Sequence, residues 1–135
     1  MEDGWEFTIN GITYEDIEVS EFYKLLDGPL ERGDHIIFKT TLPDLGFLPF
    51  PAIWLRSIYT TLECYVDDLL VYEYAKDMYE KGGFVGKSYH LITIPREYAG
   101  KELTIVIASI SPKNAKLDSS KKESIWTVKN KIILF

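Results

Sequence analysis

The sequence predicts an all-β protein, an antiparallel sandwich of about eight or nine short strands. Three observations carry this. Short runs alternate apolar and polar side chains between glycine- and proline-containing breaks, with almost no helical periodicity. An Asn-Gly pair, Asn10-Gly11, separates two such runs. This pair is the preferred two-residue hairpin turn because both central residues take positive φ. Aromatic content is 14%, with nine tyrosines and three tryptophans, which suits pleated sheet. Long loops between some strands favour a jelly roll over an up-and-down meander.

Taken in order, "WEFTINGITYEDIEV" is the first hairpin, in which Ile9 faces Ile12 and Phe7 faces Tyr14. "SEFYKLLDGPLERGD" is a connection with one helical turn at Glu21–Leu26. His35–Pro43 is a strand stopped by proline. Asp44–Pro51 is a loop carrying large apolar residues, and Ala52–Ile58 is the next strand. "LECYVDDLLVYEY" is a second hairpin with its tip at Asp67-Asp68. Lys76–Ser88 is a long polar loop, Tyr89–Pro95 alternates as a strand, and "REYAGK" turns the chain into the strand Glu102–Ser109. "PKNAKLDSSKKE" is a surface loop, and "SIWTVKNKIILF" is β-rich but interrupted at Lys129–Lys131.

A chain of 135 residues is read as one domain over its whole length. The formal net charge of −6 disfavours nucleic acid as a partner. The lysines near the end (Lys113, Lys116, Lys121, Lys122, Lys129, Lys131) are diluted by Asp118 and Glu123 and read as a solvated loop. A single cysteine allows no intrachain disulfide. No run approaches transmembrane length, and "MEDGWEF" lacks the features of a signal peptide.

Few constellations suggest chemistry. If Asp67-Asp68 is a two-residue turn, Val66 pairs with Leu69 and Cys64 with Val71. Leu62, Cys64, Val66, Leu69 and Val71 then form one continuous apolar face, while Tyr65, Leu70 and Tyr72 lie opposite beside Glu63. Adjacent aspartates at a tip diverge, whereas acid–base pairs converge on one substrate atom. Cys64 is expected to be a buried packing residue. His90 alternates with Ile92 and Ile94 and shares their face. Two histidines without paired ligand spacing make no zinc centre, and "GGFVG" lacks the helix and context of a phosphate loop. No metal site, cofactor or catalytic residue is expected, and the domain itself is read as no enzyme.

Recognition remains. Aromatics in or beside irregular segments (Phe47, Phe50, Tyr74, Tyr79, Phe84, Tyr89) cluster before Ala52 and after Tyr72, and sandwich domains bind ligands where loops converge. Arg56 sits mid-strand, and Glu73 is expected beside Leu62. Either the two charges pair, or one points into a pocket. The candidate ligand-binding residues are Phe47, Phe50, Arg56, Glu73, Tyr74, Lys87, Tyr89 and His90.

The segments "DGWEFTINGITYEDIEVSEF", "RGDHIIFKTTLP", "LECYVDDLLVYEY" and "GFVGKSYHLITIPREYAGKELTI" occur in this order. The pattern resembles the extracytoplasmic N-terminal domain of membrane-bound diguanylate cyclases of clostridia-like bacteria, from Gly4 to Ser109 and weakly beyond. Asp68 stands where that family usually has glycine, and "LTIP" where a Leu-Pro ending is typical. The resemblance implies a galactose-binding-like jelly roll. It also implies a signal or anchor before Met1 and membrane helices with a cytoplasmic output domain after Phe135. The expected function is ligand sensing on the extracellular side of a bacterial membrane, with a small molecule or carbohydrate as ligand and the membrane reached only by tethering. The alternatives are a carbohydrate-binding module and a dimerising interaction domain that forms a homodimer.

Overall fold

The computed structural model describes residues 4–18, 33–46, 48–83, 86–109, 126–127 and 132–134. The expected helical turn at Glu21–Leu26 and the lysine-rich loop lie outside these residues.

The strands are β1 (Trp5–Ile9), β2 (Ile12–Ile17), β3 (His35–Thr41), β4 (Pro51–Ile58), β5 (Leu62–Val66) and β6 (Leu69–Tyr74). After a short helix α1 (Lys76–Glu80) come β7 (Lys87–Thr93), β8 (Glu102–Ala108), β9 (Trp126–Thr127) and β10 (Ile132–Leu134). One sheet runs β2-β1-β3-β8-β5-β6, and a second runs β10-β4-β7, with β9 also paired to β4. Every described pairing is antiparallel and three are nested: β3 with β8, β4 with β7, and β5 with β6. Nesting of this kind is the rolled ribbon of a jelly-roll sandwich.

Alternation places the core. In the large sheet Phe7, Ile36, Phe38, Cys64, Leu103 and Ile105 point inward and are buried. The smaller sheet contributes Ile53, Leu55 and Ile92 to the same cluster. The loop before β4 closes one side through Leu42, Leu45 and Leu48. Arg96 pins that loop by donating from Nε to the Leu48 carbonyl (2.9 Å) and from Nη2 to the Pro49 carbonyl (2.8 Å).

Both hairpins form with the expected two-residue tips. Asn10 and Gly11 both take positive φ (+47° and +88°), as a primed turn demands. Asn10 also ties the tip to β3, because its Oδ1 accepts from the His35 amide at 2.9 Å. At the second tip only Asp67 takes positive φ (+49°), so aspartate in place of glycine at position 68 meets no left-handed strain. Asp67 is anchored by the Glu102 amide donating to its Oδ1 at 3.0 Å, and Lys101 approaches its Oδ2 at 3.6 Å. The pair is a turn clamped to β8. Asp67→Ala is expected to cost about 1–2 kcal/mol and Asp68→Gly less than about 0.5 kcal/mol, read from urea denaturation midpoints.

The register of this second hairpin departs from expectation. Val66 pairs with Leu69, but Cys64 pairs with Tyr72 rather than Val71. Between Cys64 and Tyr65 the register shifts, so Val71 is an extra residue in β6. A bulge of this kind twists and bends an edge strand. It exchanges the faces downstream: Tyr74 lies opposite Leu62, and Glu73 lies opposite Glu63 instead of beside Leu62. A second correction concerns Lys76–Ser88, which is not all loop. It opens with α1 and closes with the first residues of β7.

Candidate functional site

Two arrangements of polar and aromatic groups arise where the small sheet meets edge strand β6. The first lies inside. His90 and Ser57 project inward from β7 and β4 and are only 3% and 5% exposed. The bulge in β6 turns Tyr72 and Tyr74 toward them from the other sheet. Ser57 Oγ lies 2.8 Å from His90 Nε2, and the Tyr72 hydroxyl lies 2.7 Å from His90 Nδ1. Tyr74 presents its ring edge-on to His90 at 4.6 Å and hydrogen-bonds Ser88 through its hydroxyl. Both imidazole nitrogens are thus partnered, which is what a buried histidine requires. Burial lowers the His90 pKa below its ordinary value and raises that of Tyr72.

A serine–histidine contact of this length has the spacing of a nucleophile and its base. Here the hydroxyl and the imidazole are both enclosed between the sheets. The array braces the two sheets.

Cys64 is likewise enclosed, and desolvation pushes its thiol up to about 12. A thiol reagent is therefore expected to leave the native protein unmodified and to label Cys64 at the rate of global unfolding. Fast labelling in the absence of denaturant would contradict this packing.

The second arrangement lies on the outer face of the small sheet. Cross-strand register sets Trp54 opposite Leu91, Arg56 opposite Tyr89 and Ile58 opposite Lys87. On this face Tyr89 is 58% exposed and Leu91 54%. The Trp54 and Tyr89 rings are diagonal neighbours, 5.9 Å apart with planes inclined at 26°. Lys87 Nζ lies 5.2 Å from the Tyr89 centroid. The Lys87 ammonium at the hydroxyl, helped by Arg56, lowers the Tyr89 phenol pKa against a smaller opposing effect of desolvation.

The candidates read from the sequence therefore divide. Arg56, Lys87 and Tyr89 come together on the outer face. Tyr74 and His90 belong to the inner array. Glu73 stands on β6, in the other sheet from Arg56, across from Glu63. Glu63 in turn accepts from the Tyr65 hydroxyl and meets Lys76 at 3.4 Å. Phe50 is 72% exposed and leads into β4 at the end of the sheet opposite Lys87. Phe47 and Phe84 lie outside the described residues, as does the side chain of Tyr79. The expected cluster at the loop ends is thus replaced, for Tyr89, by a sheet face. Trp54 is the member missed in the sequence, although the alternation of "AIWLRSI" puts it on the side of Arg56. Ser57 and Tyr72 were missed because the bulge that joins them to His90 leaves no local signal.

Comparison of the chain with protein-family models, with curated proteins and with solved structures found no match.

Proposed function

We propose that this chain is a non-catalytic ligand-recognition domain, the extracytoplasmic sensory input of a membrane-bound bacterial signalling protein of the diguanylate cyclase type. The observation that carries recognition is the outer face of β4 and β7, where the Trp54–Leu91 pair is followed by Arg56–Tyr89 and then by Lys87, whose ammonium lies over the Tyr89 ring. An isolated exposed apolar residue is ordinary, but a contiguous ring-bearing patch with polar groups at its margin is the makeup of a binding surface. The assignment to a membrane sensor rests on the motif order between Gly4 and Ser109. No helix among the described residues is long and apolar enough to cross a membrane, so the sensor reading places the membrane segments outside them.

Deleting the domain from the full-length protein is expected to change cyclic-dinucleotide output. Output that ignores both the deletion and every added ligand would sink the sensory reading. The exposed Tyr89 ring beside the half-buried Trp54 also favours a second reading, a carbohydrate-binding module that tethers an enzyme or a cell to glycan. A glycoside hydrolase encoded in the same reading frame would favour that reading over the first.

A further inference from the structure

We propose that the outer face of β4 and β7 binds an acidic saccharide, with Trp54 and Leu91 against the pyranose ring and Lys87, Arg56 and the Tyr89 hydroxyl around its carboxylate. This rests on the recognition reading above and names the ligand class.

The argument begins with charge. The chain carries 21 acidic and 15 basic residues, yet neither β4 (PAIWLRSI) nor β7 (KSYHLIT) contains an aspartate or glutamate. The only ionic side chains on these two strands, apart from His90, are Arg56 and Lys87, and both fall on the outer face. A cationic patch on an acidic protein selects for an anion at short range. The lowered phenol of Tyr89 reports the same positive field from the same two residues.

Ring geometry supplies the second half. The Trp54 and Tyr89 rings are held by adjacent paired strands rather than by loops, so their spacing is fixed by the sheet. Aromatic faces pack against the C–H surface of a pyranose, while hydroxyl and carboxylate groups take hydrogen bonds at the margin. Other occupants fit less well. Two copies meeting through this face would oppose Arg56 and Lys87 with their own equivalents. The segment from Lys113 to Lys122 carries the same sign as the face.

The test is calorimetric titration with uronic-acid oligosaccharides of two backbones, oligogalacturonate and oligomannuronate. Their methyl esters keep the ring but remove the charge, and inorganic phosphate serves as an anion without a ring. At least one acid is expected to bind about tenfold or more tighter than its ester. Lys87→Gln is expected to abolish that preference, and Trp54→Ala to weaken acid and ester alike, with melting temperatures near wild type. Equal binding of acid and ester, sensitive to Trp54→Ala, overturns the acidic class and leaves recognition standing. Binding that either variant leaves untouched overturns the location. Phosphate competing as well as the acid shows an unspecific anion contact and overturns the saccharide. No binding to any probe overturns the inference, while the recognition reading is judged separately by the deletion experiment.

Discussion

Phe7→Ala is expected to destabilise the fold by about 3–5 kcal/mol. Phe7 is fully buried in β1 and stands opposite Phe38 of β3 in register. The two rings meet edge-to-face with centroids 5.0 Å apart, and Trp5 lies 6.3 Å away on the same strand. Truncation removes the burial of one large ring, the aromatic pair and the support of two neighbours at once. Strands on either side hold the backbone, so the space cannot close by local collapse. Denaturant titration reads the loss directly. Thr8→Ala, one residue along on the opposite face, loses only an exposed hydroxyl contact to Thr13 and serves as the control, with an expected cost of about 1 kcal/mol or less. A small effect of Phe7→Ala would mean that β1 is not part of the central core.

The second large effect concerns the array that joins the sheets. Ser57→Ala removes the partner of His90 Nε2, and Tyr72→Phe removes the partner of Nδ1. Each is expected to cost about 1–3 kcal/mol, because a buried ring nitrogen is then left unpaired. Adding His90→Leu to the double variant Ser57→Ala/Tyr72→Phe is expected to recover part of the loss, since all three polar groups then leave together. A triple variant less stable than the double would show that the imidazole contributes by packing alone.

The same histidine sets a pH dependence. Burial lowers its folded-state pKa below the unfolded value of about 6.5. Between the two values the unfolded chain binds the extra proton, so stability rises with pH in that window. The contribution is complete above about pH 6.5 and is lost as pH falls toward the folded-state pKa. Chemical denaturation at a series of pH values checks the sign, and His90→Leu should remove this part of the slope.

Much of the fold was legible because its signals are local. The Asn10-Gly11 tip, the pairing of Phe7 with Tyr14 and the burial of Cys64 follow from turn stereochemistry and period-two alternation. The face shared by His90, Ile92 and Ile94 follows in the same way. The short helix α1 escaped notice because one and a half turns carry too little periodicity to register against three nearby glycines.

What the amino-acid sequence determined by itself was the all-β class, both hairpin tips, and which alternating positions of β4 and β7 share a face. What the tertiary structure decided was which sheets and strands those faces meet. The extra residue at Val71 exchanged Tyr72 and Glu73, sending the tyrosines inward to His90 and the glutamate outward to Glu63. A shift of one residue reverses every side chain beyond it, and only the partner strand reveals where the shift falls. Trp54 and Tyr89 became neighbours for the related reason that β4 and β7 pair although β5, β6 and α1 lie between them in sequence. Such a pairing is set by the closing of the whole sandwich rather than by any local stretch of chain.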